Sequence, residues 1–237
     1  MDIKAVIFDV GETLIYYNNF LDWQSLYPPA IKQVMTACDI DYDINADEVA
    51  QKILKKYNTR INYREHEVSS DIIFMEILNS WHIGTEKLQA AKQAFYAYFQ
   101  RDAKYYDDTV YVLQSLKNCG IKTGILTDVA YGMDNEYALS DLESIKVYID
   151  ICLTSNDVGY RKPNTKGYLT LQKFFNVPSN QIAFIGNEEK DIVGAVNAGF
   201  ISILIDRDKS EKNWGQKFTI NTLSEVLNIF EAFSCPN

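Results

Sequence analysis

Five short runs of almost unbroken apolar residues, separated by helical patterns, constrain this fold more than any other feature of the chain. They are Lys4–Phe8 (KAVIF), Lys122–Leu126 (KTGIL), Tyr148–Leu153 (YIDICL), Ile182–Ile185 (IAFI) and Ile201–Ile205 (ISILI). A strand with one wet face alternates apolar and polar residues, whereas a strand covered on both faces has no reason to. Helical patterns fall at Thr109–Asn118, Thr165–Phe175, Asp191–Ala198 and Leu223–Phe233. The last opens with Thr222-Leu-Ser-Glu225, the spacing of a capping box. Strands alternating with helices fold as α/β, with a doubly wound parallel sheet. Ligands of such sheets bind outside the carboxyl ends of the strands.

The interval from Tyr16 to Gln100 breaks this rhythm. It has no clear strand, and helices are expected over Asn45–Tyr57 (Asn45 as N-cap), Ser69–Ser80 and Thr85–Phe99. Leu26, Ile53, Ile72, Ile73, Ile77, Leu78, Phe95 and Phe99 supply an apolar face for a small helical bundle. The expected organisation is therefore an α/β core of residues 1–15 and 101–237, with residues 16–100 inserted as an all-helical cap.

Composition removes several classes of function. Lys and Arg total 23 against 32 Asp and Glu, a net charge of −9 in 237 residues. Such a surface repels phosphate backbones and anionic lipid, so nucleic acid and membranes are excluded as main partners. The opening MDIKAVIFDV has no cationic flank before a long apolar run, and the chain has no stretch of about 18 apolar residues; a cytoplasmic protein is expected. Cys38, Cys119, Cys152 and Cys235 form no CxxC pair and read as reduced thiols. With only His66 and His82 present, polar catalysis falls to carboxylates, hydroxyls and lysine.

Those residue types gather after four of the strands. Phe8-Asp9-Val10-Gly11-Glu12-Thr13-Leu14 follows the first, and Leu126-Thr127-Asp128 ends the second. Gly159-Tyr160-Arg161-Lys162-Pro163 and Ile185-Gly186-Asn187-Glu188-Glu189-Lys190-Asp191 complete the set. A carboxylate nucleophile, a hydroxyl, a cation and an acidic cluster suffice to attack a phosphoryl group, hold its oxygens and bind a divalent ion.

In order and spacing these segments resemble the haloacid dehalogenase-like hydrolases that carry a helical cap after the first strand of a Rossmann-like core. The family's hhhDxDGTL is matched by Val6–Leu14, its strand-end Thr by Thr127, its Lys-Pro by Lys162-Pro163, and its GDxxxD by Gly186–Asp191. The resemblance implies that Asp9 is the nucleophile, forming an aspartyl-phosphate. It further implies that Thr127, Asp128 and Lys162 face the substrate. Asp9, the Gly11 carbonyl, Asn187 and Asp191 would then hold Mg²⁺.

Two departures qualify the resemblance. The family's phosphatases keep a second Asp two residues after the nucleophile as general acid and base, and this chain has Gly11 there. Losing such a group costs about 10²–10⁴-fold in rate. Glu12 lies one position on; extended backbone would aim it away from Asp9, and a tight turn after Gly11 would bring it back. The second departure is Asn187 in place of the metal Asp, an oxygen ligand without charge. The expected function is Mg²⁺-dependent hydrolysis of small phosphorylated metabolites, with leaving groups that need little protonation. The alternative is a non-catalytic member that binds a ligand or a protein. A metal-independent 2-haloacid dehalogenase ranks below both, because Ser25-Leu-Tyr-Pro-Pro29 occupies the early cap and no Arg precedes Arg60.

Overall fold

The computed structural model describes residues 2–17, 23–100 and 103–230, and divides the chain into two compact units. The first comprises Met1–Tyr16, Lys104–Asp128 and Leu142–Asn237; the second comprises Tyr17–Ala103 and Val129–Asp141. The strands in chain order are β1 (Ala5–Phe8), β2 (Ile15–Tyr17), β3 (Ala103–Tyr105), β4 (Lys122–Thr127), β5 (Ile151–Thr154), β6 (Ile182–Gly186), β7 (Ile201–Ile205) and β8 (Phe218–Ile220).

In the first unit six strands form one sheet in the order β5-β4-β1-β6-β7-β8, with every neighbouring pair parallel. The continuous apolar runs follow from burial: every residue of β1, β6 and β7 is buried. Phe8 pairs with Ile125 of β4 on one side and Ile185 of β6 on the other, so the chain after β1 emerges at the middle of the carboxyl edge. The sheet order turns around β1, which is where open α/β sheets place their ligands.

Some elements depart from expectation. β5 begins at Ile151, preceded by a 3₁₀ stretch over Ser140–Tyr148. There Thr123 donates its hydroxyl to the Tyr148 carbonyl and its N–H to the Asp150 carboxylate, so these residues turn toward β4 before the ladder starts. β8 adds a sixth strand of only three residues, too short to leave a periodic signal. The helix expected over Leu223–Phe233 runs Glu225–Ile229, and its last expected residues lie outside the described ones. Its Glu225 carboxylate does reach back to the Thr222 N–H at 3.0 Å. The reading of all four cysteines as thiols is corrected: Cys38 and Cys152 are free, but Cys119 is disulfide-bonded.

The second unit is helical: Trp23–Ala37, Ile44–Tyr57, Ser70–Ser80 and Leu88–Phe99. The first of these has no counterpart among the expected helices. It contains Pro28 and Pro29, which read as breakers, yet Tyr27, Ala30, Ile31, Val34 and Met35 form a buried stripe that holds it. The N-cap of the next helix is Asp43, accepting from the Ala46 N–H at 2.8 Å, not Asn45. Ile72, expected in the bundle core, is exposed. Val129–Asp141 belongs to this unit although the sequence boundaries assign it to the core. Ser70 donates to Asp134 at 2.9 Å, Gln100 to the Tyr137 carbonyl at 2.6 Å, and Tyr96 to the Tyr131 carbonyl at 2.9 Å. No described helix is long and apolar enough to cross a membrane.

Candidate active site

The candidate site lies wholly within the α/β unit. Asp9 follows β1 directly and its N–H donates to the Ile185 carbonyl at 2.9 Å, fixing the first residue past the strand. Lys162 arrives from the loop after β5 and is 2 % exposed. Its Nζ stands 2.5 Å from Asp9 Oδ1 and 2.6 Å from Asp191 Oδ1. Burial would drive this ammonium down, yet Asp191 and Asp9 hold it well above its ordinary value. For Asp9 burial dominates: the carboxyl is pushed up to about 7, against the pull of Lys162 and with the push of Asp191.

Asp191 is built into the start of the Glu189–Asn197 helix. Its Oδ2 accepts the Asn187 N–H at 3.1 Å and the Glu188 N–H at 3.0 Å, while the Glu188 side chain closes the reciprocal cap. Gly186 makes room for this, since a Cβ there would sit 2.5 Å from the Asp191 Cβ. Both Asp191 oxygens are thus engaged, and the residue has no exposed surface. Asn187 keeps its amide oxygen near the Thr13 hydroxyl, which donates to it at a long 3.4 Å. Thr127 is the last residue of β4, half-buried, one strand over from Asp9.

Asp128 differs from the substrate contact expected of it. It is nearly buried, and its Oδ1 accepts the backbone N–H of Lys162 at 3.1 Å. Its Oδ2 faces the Lys190 ammonium at 3.1 Å and the Arg161 guanidinium at 3.8 Å. Burial would raise this carboxyl, but Lys190, Lys162 and Arg161 together hold it below the usual range. Lys190 also pairs with Glu188 at 2.8 Å. Nothing in the local sequence assigns Lys190 a partner. The one signal pointing to one was Asp128 itself, a carboxylate at a strand end that burial would penalise without a cation beside it.

Glu12 does sit in a tight turn, with φ +54°, and Glu12 N–H donates to Ile15 O at 2.7 Å. Its carboxylate is occupied, however: the Tyr106 hydroxyl donates to it at 2.6 Å. The Arg207 guanidinium covers the Tyr106 ring at 3.5 Å and donates to the Thr13 carbonyl at 2.9 Å, strapping the turn from outside. Gly11 offers no acid, and a Cβ built on it meets nothing within 4 Å.

The carboxylate after β1 is thus paired with a buried lysine at the middle of the carboxyl edge of a parallel sheet. The profile of the haloacid dehalogenase-like hydrolases matches residues 6–205. The chain belongs to this family. Among the haloacid dehalogenase-like proteins it resembles is a glyceraldehyde 3-phosphate phosphatase of Methanocaldococcus jannaschii, 25 % identical over 237 residues and 96 % of each chain. Two of the solved structures that share its fold show the likeness. A 2-haloacid dehalogenase from Pseudomonas syringae pv. Tomato DC3000 superposes with TM-score 0.65 at 18 % identity, over 98 % of this chain and 100 % of the other. An HAD phosphatase from Thermococcus onnurineus gives 0.63 at 20 % identity, over 96 % and 98 %.

Family membership raises the question of a divalent cation. Among the described residues no three His, Cys, Asp or Glu side chains converge as a metal cage. What remains is Asp9, the amide oxygen of Asn187 and the Gly11 carbonyl, since Asp191 is committed to Lys162 and two N–H groups. Mg²⁺ accepts one or two carboxylates and fills its shell with water and substrate phosphate. These three oxygens are donors of the type such a cation accepts.

Proposed function

We propose that this enzyme hydrolyses small phosphorylated metabolites through an aspartyl-phosphate on Asp9. The observation that carries the reading is the Lys162 ammonium, buried between Asp9 and Asp191 at 2.5 and 2.6 Å. It opposes the protonation that burial favours at Asp9, aims the carboxyl group, and places an ammonium where a transferring phosphoryl group would gather negative charge. The full-length likeness to a glyceraldehyde 3-phosphate phosphatase supports phosphorus over carbon as the atom attacked.

In the first step an Asp9 oxygen bonds to phosphorus as the bond from phosphorus to the leaving oxygen breaks. Water then attacks phosphorus, the bond to Asp9 breaks, and inorganic phosphate leaves with Asp9 regenerated. Thr127 donates its hydroxyl to a phosphoryl oxygen, and Lys162 balances charge in both steps. Mg²⁺, held by Asp9, the Gly11 carbonyl and Asn187, would supply Lewis-acid charge to the phosphoryl oxygens. With Gly11 in place of an acid and Glu12 bonded to Tyr106, the leaving group departs without help from either residue. Acyl and aryl phosphates are therefore the preferred class.

The test is turnover of acetyl phosphate and p-nitrophenyl phosphate, with and without Mg²⁺, beside Asp9→Asn. Hydrolysis abolished by Asp9→Asn, and rising steeply as leaving-group pKa falls, is the expected result. A rate indifferent to leaving-group pKa would assign an acid to the site after all. The residues Gly11 and Asn187 favour a second reading, a binding protein without turnover. Phosphate binding with no hydrolysis above the Asp9→Asn control, at high Mg²⁺ and across pH, would establish it. Metal-free release of chloride from a 2-chloroacid would instead return the chain to dehalogenase chemistry.

A further inference from the structure

We propose that Lys190 is a second oxyanion-binding cation of this site, so that a phosphoryl group is taken up before any divalent ion is bound. The inference rests on the phosphohydrolase reading and deepens it.

Relative to the family's motifs the chain has lost two carboxylates, at Gly11 and Asn187. Removing two negative charges makes the local field less negative. The site that remains is less anionic than the family's would be, and it holds a second lysine, Lys190, beside Asp128. Lys190 lies in the first turn of the Glu189–Asn197 helix. Its stem is fixed by two carboxylates of different character: Asp128 at 3.1 Å is 4 % exposed at its side chain, and Glu188 at 2.8 Å is 40 % exposed.

An ammonium has three N–H donors, and these two pairs use two of them. The third remains for a ligand. The Glu188 pair is a half-exposed ion pair, worth little and readily exchanged for a ligand oxygen. The Asp128 pair is buried and stays. Asp128 also accepts the backbone N–H of Lys162, so one carboxylate sets the position of both lysines, and Lys162 in turn touches Asp9. An oxyanion with several oxygens in tetrahedral array, a phosphoryl group or its sulfate and vanadate counterparts, suits two lysines tied to one buried carboxylate, Lys190 through its ammonium and Lys162 through its backbone N–H.

The experiment is binding of inorganic phosphate to the intact protein in EDTA, read by calorimetry and by the shift in thermal unfolding, and repeated with Mg²⁺. Wild type is expected to bind phosphate without metal. Lys190→Met should weaken that binding about ten- to a hundredfold, the worth of one charge-assisted hydrogen bond. Lys190→Arg should retain most of it, and Glu188→Gln should leave it equal or tighter. Lys190→Met leaves Asp128 short of a cation, so Lys190→Met with Asp128→Asn, which removes both charges, is measured beside it and should bind as weakly. Phosphate binding by either Met-containing variant at wild-type strength overturns the role of Lys190. Wild-type binding that appears only with Mg²⁺ overturns it too, while leaving the phosphohydrolase reading intact. No phosphate binding under either condition, together with no turnover of acetyl phosphate, overturns both.

Discussion

Each unit of this molecule contains one buried lysine clamped by two aspartates, and the two clamps are almost identical in length. In the α/β unit Lys162 meets Asp9 and Asp191 at 2.5 and 2.6 Å; in the helical unit Lys92 meets Asp71 and Asp134 at 2.6 Å each. The difference lies in the carboxylates. Those around Lys162 are 10 % and 0 % exposed, those around Lys92 59 % and 34 %. An aspartate open to water loses little when its partner goes, because solvent takes the partner's place. An aspartate sealed from water cannot be satisfied that way. The Lys92 clamp therefore serves packing, joining the Ser70–Ser80 helix to the segment around Asp134, whereas the Lys162 clamp maintains charges that the fold would otherwise expel.

The sharpest break between the two clamps is expected in turnover. Lys162→Met should lower kcat on acetyl phosphate by about 10³-fold or more, while Lys92→Met leaves it within about threefold; equal losses would show that the helical clamp also shapes the chemistry. Stability separates them next. Urea unfolding should place Lys162→Met about 3–5 kcal/mol below wild type, since it strands two buried carboxylates. Lys92→Met should cost about 1 kcal/mol, because its partners are screened by water. The smallest effect concerns pH. Neighbouring cations depress the folded-state pKa of Asp128, so its contribution to stability is complete above the ordinary carboxylate range near 4 and fades as pH falls through its lowered value. The stability gap between wild type and Asp128→Asn should accordingly narrow from pH 7 toward pH 3; a gap that widens in acid would reverse the assigned direction.

The same contrast explains what could be read before any coordinates. Ile201–Ile205 and Thr109–Asn118 are strand and helix at the expected residues, because burial on both faces and a 3.6-residue stripe leave unmistakable local patterns. Trp23–Ala37 escaped because Pro28 and Pro29 speak against a helix locally, while the packing that overrides them depends on residues far along the chain. At the site, Asp9, Thr127, Lys162 and Asp191 stood out by type and position at strand ends. What could not be read was pairing. Whether Asp128 faces substrate or solvent, or Lys190 and Arg161 as it does, depends on side-chain directions set by tertiary contacts, and Lys92 in mid-helix gave no sign that it would be buried. Glu12 shows both halves at once. Its turn was foreseeable from the glycine before it, whereas its bond to Tyr106 crosses 94 positions of sequence.

The open space around Gly11 bears on how this chain relates to its family. Nothing within 4 Å would obstruct a side chain's first atom there, and the backbone is not in the left-handed region that glycine alone tolerates. Sterics therefore do not keep the residue a glycine. A side chain's first atom is admitted there, so the fold itself does not forbid an acid at this position. The absence of an acid at residue 11 is thus a feature of the site's chemistry that the backbone does not impose.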